Sequence, residues 1–308
     1  MMSLGYFQIG LGKKYIDESC DFVWSLRQFK DNYPVSILVK KEDYDYAISK
    51  SVFDKVVVFD ESDPLFSLCD DNQTKYCILP RVNMLKYIPY SECIVVDTDV
   101  FCTHSPDKAW ESFRDKGQAF NCTGMYNDPA FHWSNINKIN KKLEMNILCA
   151  HGGIFYINKN FGKEELETFF LHVLHAFLNY DYLGFVRAFE DREFNSKTDA
   201  EAMTDEIMFG YAMSKMKFSL LDFSLYSIIT FEIDNYLINE MTFPNHRQTH
   251  KEYCLLCTKL GKDKPIMMPD PIPFVHIFGY GHQKEDSSEK MKNLIKKHTP
   301  RVREIQRK

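Results

Sequence analysis

The sequence predicts an α/β fold: a mixed, mostly parallel central sheet flanked by helices on both faces. Two patterns predict it. Short apolar, β-branched runs alternate with stretches of helical periodicity through the first hundred residues, as strand-helix-strand units require. Composition agrees, because 308 residues with 44% hydrophobic and 15% aromatic content can bury a large core without metal or disulfide support.

The elements read in order as follows. Residues 6–11 are a strand, and Gly12 then opens a helix with Ile16, Cys20, Val23 and Leu26 at helical spacing. Pro34 precedes a β-branched strand at residues 35–39; a polar helix and a strand at 56–59 follow. Residues 74–88 read as one helix with Leu79, Val82 and Leu85 on a face and a kink at Pro80. Strands are expected at 93–96, 119–122, 153–157, 218–221 and 274–278. Residues 163–180 and 205–216 read as helices, and 187–202 as a polar loop. No repeat or linker divides the chain, so we expect one catalytic-size domain over 1–283 and a tail over 284–308.

Charge and cysteine usage narrow the function classes. A net charge of −5 argues against a general nucleic-acid binder, which needs a basic surface for phosphates. That figure is a sum of unlike parts, since residues 284–308 carry +5 and the remainder −10. The tail is expected to be a solvated segment or a weak contact for anionic membrane. Nine scattered cysteines read as reduced thiols in a cytoplasmic compartment. No basic-then-apolar leader opens the sequence and no run approaches about 18 apolar residues, so neither a secretory signal nor a membrane span is expected.

The chemistry centres on Asp97-Thr98-Asp99, which ends the apolar run Cys93-Ile94-Val95-Val96. Strand alternation aims both carboxylates to one side, at the carboxyl end of a central strand where open α/β sheets bind ligands. Two like charges there call for a cation, and hard divalent ions held by carboxylates and substrate phosphates are the usual answer. A polar strand end without ligand gives the same motif. His276 lies in a distant apolar run and would complete an oxygen/nitrogen shell that suits Mn²⁺ better than Mg²⁺. Gly279 and Gly281 after it would let backbone approach a phosphate. Gly10-Leu11-Gly12 is not a dinucleotide fingerprint, because Tyr15 stands where the third Gly belongs. His246, His250, Cys254 and Cys257 would spread over about 16 Å of a helix, too far for one ion.

With Asp97-Thr98-Asp99 after an apolar strand and a distant His276-x-x-Gly279, the chain resembles the glycogenin-type (family 8) retaining glycosyltransferases of GT-A fold, over roughly residues 5–284. Leu85-Lys86-Tyr87-Ile88-Pro89-Tyr90 is similar to the approach to that family's Asp-x-Asp. The resemblance implies a nucleotide-sugar donor, most simply a UDP-sugar, with Mn²⁺ or Mg²⁺ on Asp97, Asp99 and His276. It places Gly10, Leu11, Tyr15 and Thr98 in the donor site, with Tyr15 on the base, Arg81 on donor phosphate and sugar, and His151, Gly152 and Gly153 lining the sugar pocket. Asp205 and Glu206 fall next to the anomeric carbon, and with Arg81 they form the implied catalytic set. Gly279, His282 and Lys284 would face the diphosphate. Three positions depart from the family pattern: His151 replaces an amide, Glu206 replaces Gln, and His282 stands where a Lys is usual. The implied reaction is retaining transfer to a hydroxyl of a glycan, protein or small molecule. A nucleotidyltransferase, a sugar-nucleotide hydrolase or a non-catalytic sugar-nucleotide-binding protein would use the same carboxylates.

Overall fold

The computed structural model describes residues 3–72, 74–102, 104–125, 136–179, 204–221, 226–229 and 273–277, with Glu289 and Lys292. Four strands form the parallel part of the main sheet: β1 (Leu4–Ile9), β2 (Val35–Val39), β3 (Lys55–Val58) and β4 (Glu92–Val96). Every residue of β2 and β4 is buried, as expected of interior strands covered on both faces. Two more strands, β6 (Phe120–Met125) and β7 (Cys149–Asn158), complete the order β3-β2-β1-β4-β7-β6. β7 runs antiparallel to β4 and to β6, so the sheet is mixed, as the sequence predicts. Strand order turns at β1, which lies between β2 and β4, and the crevice beyond their carboxyl ends is where such sheets take ligands.

Helix α1 (Lys13–Gln28) returns from β1 to β2. Gly12 precedes it with φ 140°, a backbone that side-chain-bearing residues rarely adopt. α2 (Tyr44–Ser49) and α3 (Pro64–Ser67) lie on either side of β3 in the chain. The predicted single helix before β4 is instead three pieces: a π-helical turn (Thr74–Ile78), α4 (Leu79–Val82) and α5 (Met84–Tyr87). Pro80 accounts for the first break, since it lacks the N–H that a continuous helix would need, and Asn83, with φ −102° and ψ 10°, makes the second. α6 (Asp107–Asp115) and α7 (Ile136–Leu143) were not foreseen. α8 (Lys163–Asn179) and α9 (Asp205–Met216) match the expected helices, with Thr204 capping α9 through its hydroxyl and Lys217 ending it in the left-handed region.

Among the described residues, aromatic side chains pack on both faces of the main sheet. On one face of the sheet Phe120 stacks on Phe169 of α8 at 4.0 Å between ring centres and on Phe209 of α9 at 5.6 Å. On the other, Tyr6, Phe22, Trp110 and Tyr156 join α1 and α6 to the sheet, and the Trp110 indole donates to the Tyr6 hydroxyl at 2.8 Å. The run 218–221 is not a strand, for only Leu221 bridges to Thr123. The expected loop at 187–202 and the His246–Cys257 cluster lie outside the described residues.

A second sheet positions the site. β5 (Val100–Cys102), β8 (Tyr226–Ile229) and β9 (Phe274–Ile277) form it in the order β5-β9-β8. β9 pairs antiparallel with β5, and its register sets His276 opposite Val100, one residue beyond Asp99.

Candidate active site

β4 ends at Val96, and Asp97, Thr98 and Asp99 make the turn into β5, closed by the Val100 N–H donating to the Asp97 carbonyl at 3.3 Å. The β5–β9 pairing then delivers His276, whose Nε2 lies 2.8 Å from Asp99 Oδ1. One ligand atom each from Asp97, Asp99 and His276 lie within 4.8 Å of one another. Opposite ligands of one small divalent ion stand about 4.2 Å apart, so these three fit such an ion with minor side-chain adjustment. Two hard carboxylates with one imidazole are donors suited to Mn²⁺ and acceptable to Mg²⁺.

Arg81 sits beside this cluster and ties it to α9. Its Nη2 donates to Asp97 Oδ1 at 2.5 Å, and its Nη1 to Asp205 Oδ2 at 2.9 Å and to the Gly152 carbonyl at 3.1 Å. The Gly152 N–H in turn donates to Glu206 Oε1 at 2.7 Å. β7, α4 and α9 are thereby joined through one guanidinium and one carboxylate. Gly at 152 leaves room for both, because a Cβ there would meet Glu206 Cγ at 2.9 Å and Arg81 Nη1 at 3.0 Å and would push one of these side chains aside. The Gly153 carbonyl accepts the Asp97 N–H at 3.1 Å and anchors the turn to β7.

Electrostatics follow from crowding. Burial alone would lower the Arg81 pKa, but Asp97 and Asp205 outweigh it and raise the value. Burial raises Asp97, aided by Asp99 and opposed by Arg81. Burial would lower His276 too; its ion pair with Asp99 more than offsets this and raises it. Four carboxylates (Asp97, Asp99, Asp205, Glu206) thus face Arg81 and His276, an acidic excess that a divalent cation would neutralise.

Tyr15, in the first turn of α1, keeps 39% exposure and is within electrostatic reach of Asp99 and Glu18. Gly10 and Leu11 pack inside the domain: a Cβ on Gly10 would meet Ile37 Cδ1 at 2.7 Å, and Leu11 joins the main core. His151 contributes backbone to β7. Gly279, His282 and Lys284 lie outside the described residues. Sequence reasoning missed Gln8 and Glu18, which touch the Asp97–Asp99 turn from beneath. Gln8 donates to the Asp97 carbonyl at 3.2 Å, and Glu18 accepts from the Thr98 hydroxyl at 2.9 Å. A Gln inside the apolar run of β1 was the visible signal. Burial, followed by Asp99, pushes the Glu18 carboxyl up to about 7.

No family model matches the chain, and no curated protein sequence matches it. In three dimensions it is similar to the galactosyltransferase LgtC in complex with donor and acceptor sugar analogues, with TM-score 0.53 and 11% identity over 96% of each chain. It is also similar to mouse xyloside xylosyltransferase 1 in its apo form, with TM-score 0.51 and 11% identity over 90% of this chain and 98% of the other. A bifunctional glycosyltransferase, WbbM, matches with TM-score 0.52 and 11% identity over 89% of this chain and 45% of its own length. At such identities the likeness is one of fold, and that fold is GT-A.

Proposed function

We propose that the chain is a metal-dependent glycosyltransferase that moves a sugar from a nucleotide-sugar donor, a UDP-sugar first among them, to a hydroxyl acceptor with retention. The observation that carries this reading is the convergence, on a GT-A fold, of Arg81, Asp97, Asp205 and Glu206 beside the Asp97–Asp99–His276 cluster. Glycosyltransferase neighbours support it further. The donor's leaving group is a nucleoside diphosphate, and negative charge grows on its oxygen as the glycosidic bond breaks. Held by Asp97, Asp99 and His276, a Mn²⁺ or Mg²⁺ ion would supply Lewis-acid stabilisation of that charge.

The chain's own residues do the rest. Arg81 presents fixed positive charge, held in one orientation by Asp97 and Asp205, so little reorganisation is needed as charge develops. His282 or Lys284 adds charge at the diphosphate, and Tyr15 offers its half-exposed ring to the base. Asp205 fixes Arg81, while Glu206, anchored through one oxygen to the Gly152 N–H, is the carboxylate assigned to the oxocarbenium-like centre. Residues 1–283 would form the catalytic domain and 284–308 its basic tail. Among the described residues seven cysteines (Cys20, Cys69, Cys77, Cys93, Cys102, Cys122, Cys149) stand outside any disulfide, in keeping with the reducing, cytoplasmic setting proposed here. Among the described residues no helix is long and apolar enough to cross a membrane.

A panel of UDP- and GDP-sugars with Mn²⁺, read by nucleotide release and thermal shift, tests the proposal. Metal-dependent stabilisation by at least one nucleotide sugar is expected, with loss in Asp99→Ala. No response from any donor, or an unaltered response in Asp99→Ala, sinks it. Nucleotide release without any glycosylated product would instead favour a hydrolase.

A further inference from the structure

Two buried polar side chains stand under the turn that carries the carboxylates, and the reaction described above does not use them. Gln8 is fully buried in β1 between Phe7 and Ile9, and its Nε2 donates to the Asp97 carbonyl at 3.2 Å. Glu18, 6% exposed on α1, accepts from the hydroxyl of Thr98, itself 9% exposed, at 2.9 Å. Burying a carboxyl group is costly where an apolar side chain would pack without desolvation. The interaction is therefore better explained by what it orients than by stability.

Each residue of the turn is anchored by a different element. The Asp97 N–H is held by the Gly153 carbonyl of β7 at 3.1 Å, and its C=O by Gln8 of β1. Thr98 is held by Glu18 of α1, and the Asp99 carboxylate by His276 of β9. Thr98 shares planar peptide units with both aspartates, so a rotation at residue 98 redirects both flanking side chains. Without its acceptor, the Thr98 hydroxyl would be a buried unpaired donor, and relieving that would turn the residue.

We propose that Gln8 and Glu18 are positioning residues for the divalent-ion site, holding the Asp97-Thr98-Asp99 turn so that its two carboxylates converge with His276. The inference rests on the metal-site reading given under Proposed function. Outer groups that orient metal ligands typically contribute about 10–100-fold in affinity. The Glu18–Thr98 contact joins residues 80 apart in sequence, which makes it testable as a pair.

The experiment uses the full chain and Mn²⁺ alone, with affinity measured by titration calorimetry and by the EPR signal of free Mn²⁺. Melting temperature in chelator is recorded for every variant. Thr98→Val and Glu18→Leu are each expected to weaken Mn²⁺ binding about 10-fold, with the double variant no weaker than either single one. Gln8→Leu is expected to weaken it by a similar factor. Glu18→Gln keeps an acceptor oxygen for Thr98 but drops the charge, and should stay within about 3-fold of wild type. Wild-type Mn²⁺ affinity in Glu18→Leu and Thr98→Val, whatever their melting temperatures, overturns the proposal. So do additive losses in the double variant, or a Glu18→Gln variant as weak as Glu18→Leu. Asp99→Asn separates the two readings. If it still binds Mn²⁺ like wild type, the metal site itself is wrong and this inference falls with it. If it loses binding while the Glu18 and Thr98 variants keep it, only the inference falls.

Discussion

At Arg81 one guanidinium serves three acceptors from three parts of the chain: Asp97, Asp205 and the Gly152 carbonyl. A lysine has one compact ammonium and cannot reproduce that fork. Arg81→Lys is therefore expected to lose most transfer activity while retaining part of the fold stability. Arg81→Ala leaves two carboxylates without their partner. Because these side chains keep about a fifth of their exposure, the loss should be about 1–3 kcal/mol, below the range for wholly buried pairs. Urea denaturation of both variants, alongside nucleotide release, checks the split. Asp97 and Asp99, with His276, could be named from the sequence because two carboxylates end one apolar run and a histidine sits in another, although a turn after β4, and not strand alternation, brings the carboxylates together. Arg81, Asp205 and Glu206 were named by resemblance, and the geometry supplies the contacts between them. Gln8 and Glu18 were not named: a Gln inside the apolar run of β1 was visible in the sequence, but what either side chain holds appears only after α1 is laid on β1 and β4. Glu18 also sets a pH dependence. Its folded-state pKa of about 7 exceeds the ordinary value of 4.5, so the folded state binds the extra proton between those pH values. Stability from this group is then full below pH about 4.5 and lost as pH rises through about 7. In chelator, Glu18→Gln should melt higher than wild type at pH 8 and close to it at pH 4.5. An equal difference at both would show that the carboxyl charge is not the cause.

Among the elements, β7 and α9 bear most directly on the side chains proposed as catalytic. Gly152 lies under both Arg81 and Glu206, and Gly152→Ala would displace one of them by a few tenths of an ångström or more. Reaction geometry tolerates such displacements poorly, with about 100-fold losses for misplacements near 1 Å. We expect Gly152→Ala to lose activity far out of proportion to its change in melting temperature. Thr204 begins α9 just before Asp205 and caps it through the Ile207 N–H at 3.3 Å. Thr204→Ala should cost about 1 kcal/mol, measured by denaturant unfolding, and Thr204→Ser should recover most of it. The central strands were legible because interior strands read as unbroken apolar runs. β5 was not, since three residues after Asp99 make too short a run to register, yet its pairing with β9 is what brings His276 to the site. α6 was missed although Ala109, Trp110 and Phe113 form a buried face after Pro106. Residues 218–221 are apolar enough to suggest a strand, but Phe218 packs into the α8–α9 core instead of a ladder.

For the molecule as a whole, the net charge of −5 divides into −10 over residues 1–283 and +5 over residues 284–308, and the proposed tail meets α1 through Lys292. Lys292 Nζ lies 2.5 Å from Asp21 Oδ1 on α1, with side-chain exposures of 26% and 13%. Asp21 is one turn beyond Glu18, so the tail meets the same helix that supports the Asp97–Asp99 turn. A tail engaged this way has less of its charge available to lipid headgroups than the sequence alone implies. The consequence is measurable without membranes. Lys292→Ala and Asp21→Asn should each lower stability by about 0.5–1.5 kcal/mol, and the double variant should lose less than their sum, since each single change already breaks the pair. Raising salt should reduce the effect of Lys292→Ala only modestly, because a half-buried pair is screened less than an exposed one. Strict additivity would mean that the tail does not hold α1. In that case the +5 of residues 284–308 stays free, and binding to anionic vesicles that weakens with salt becomes the expected behaviour.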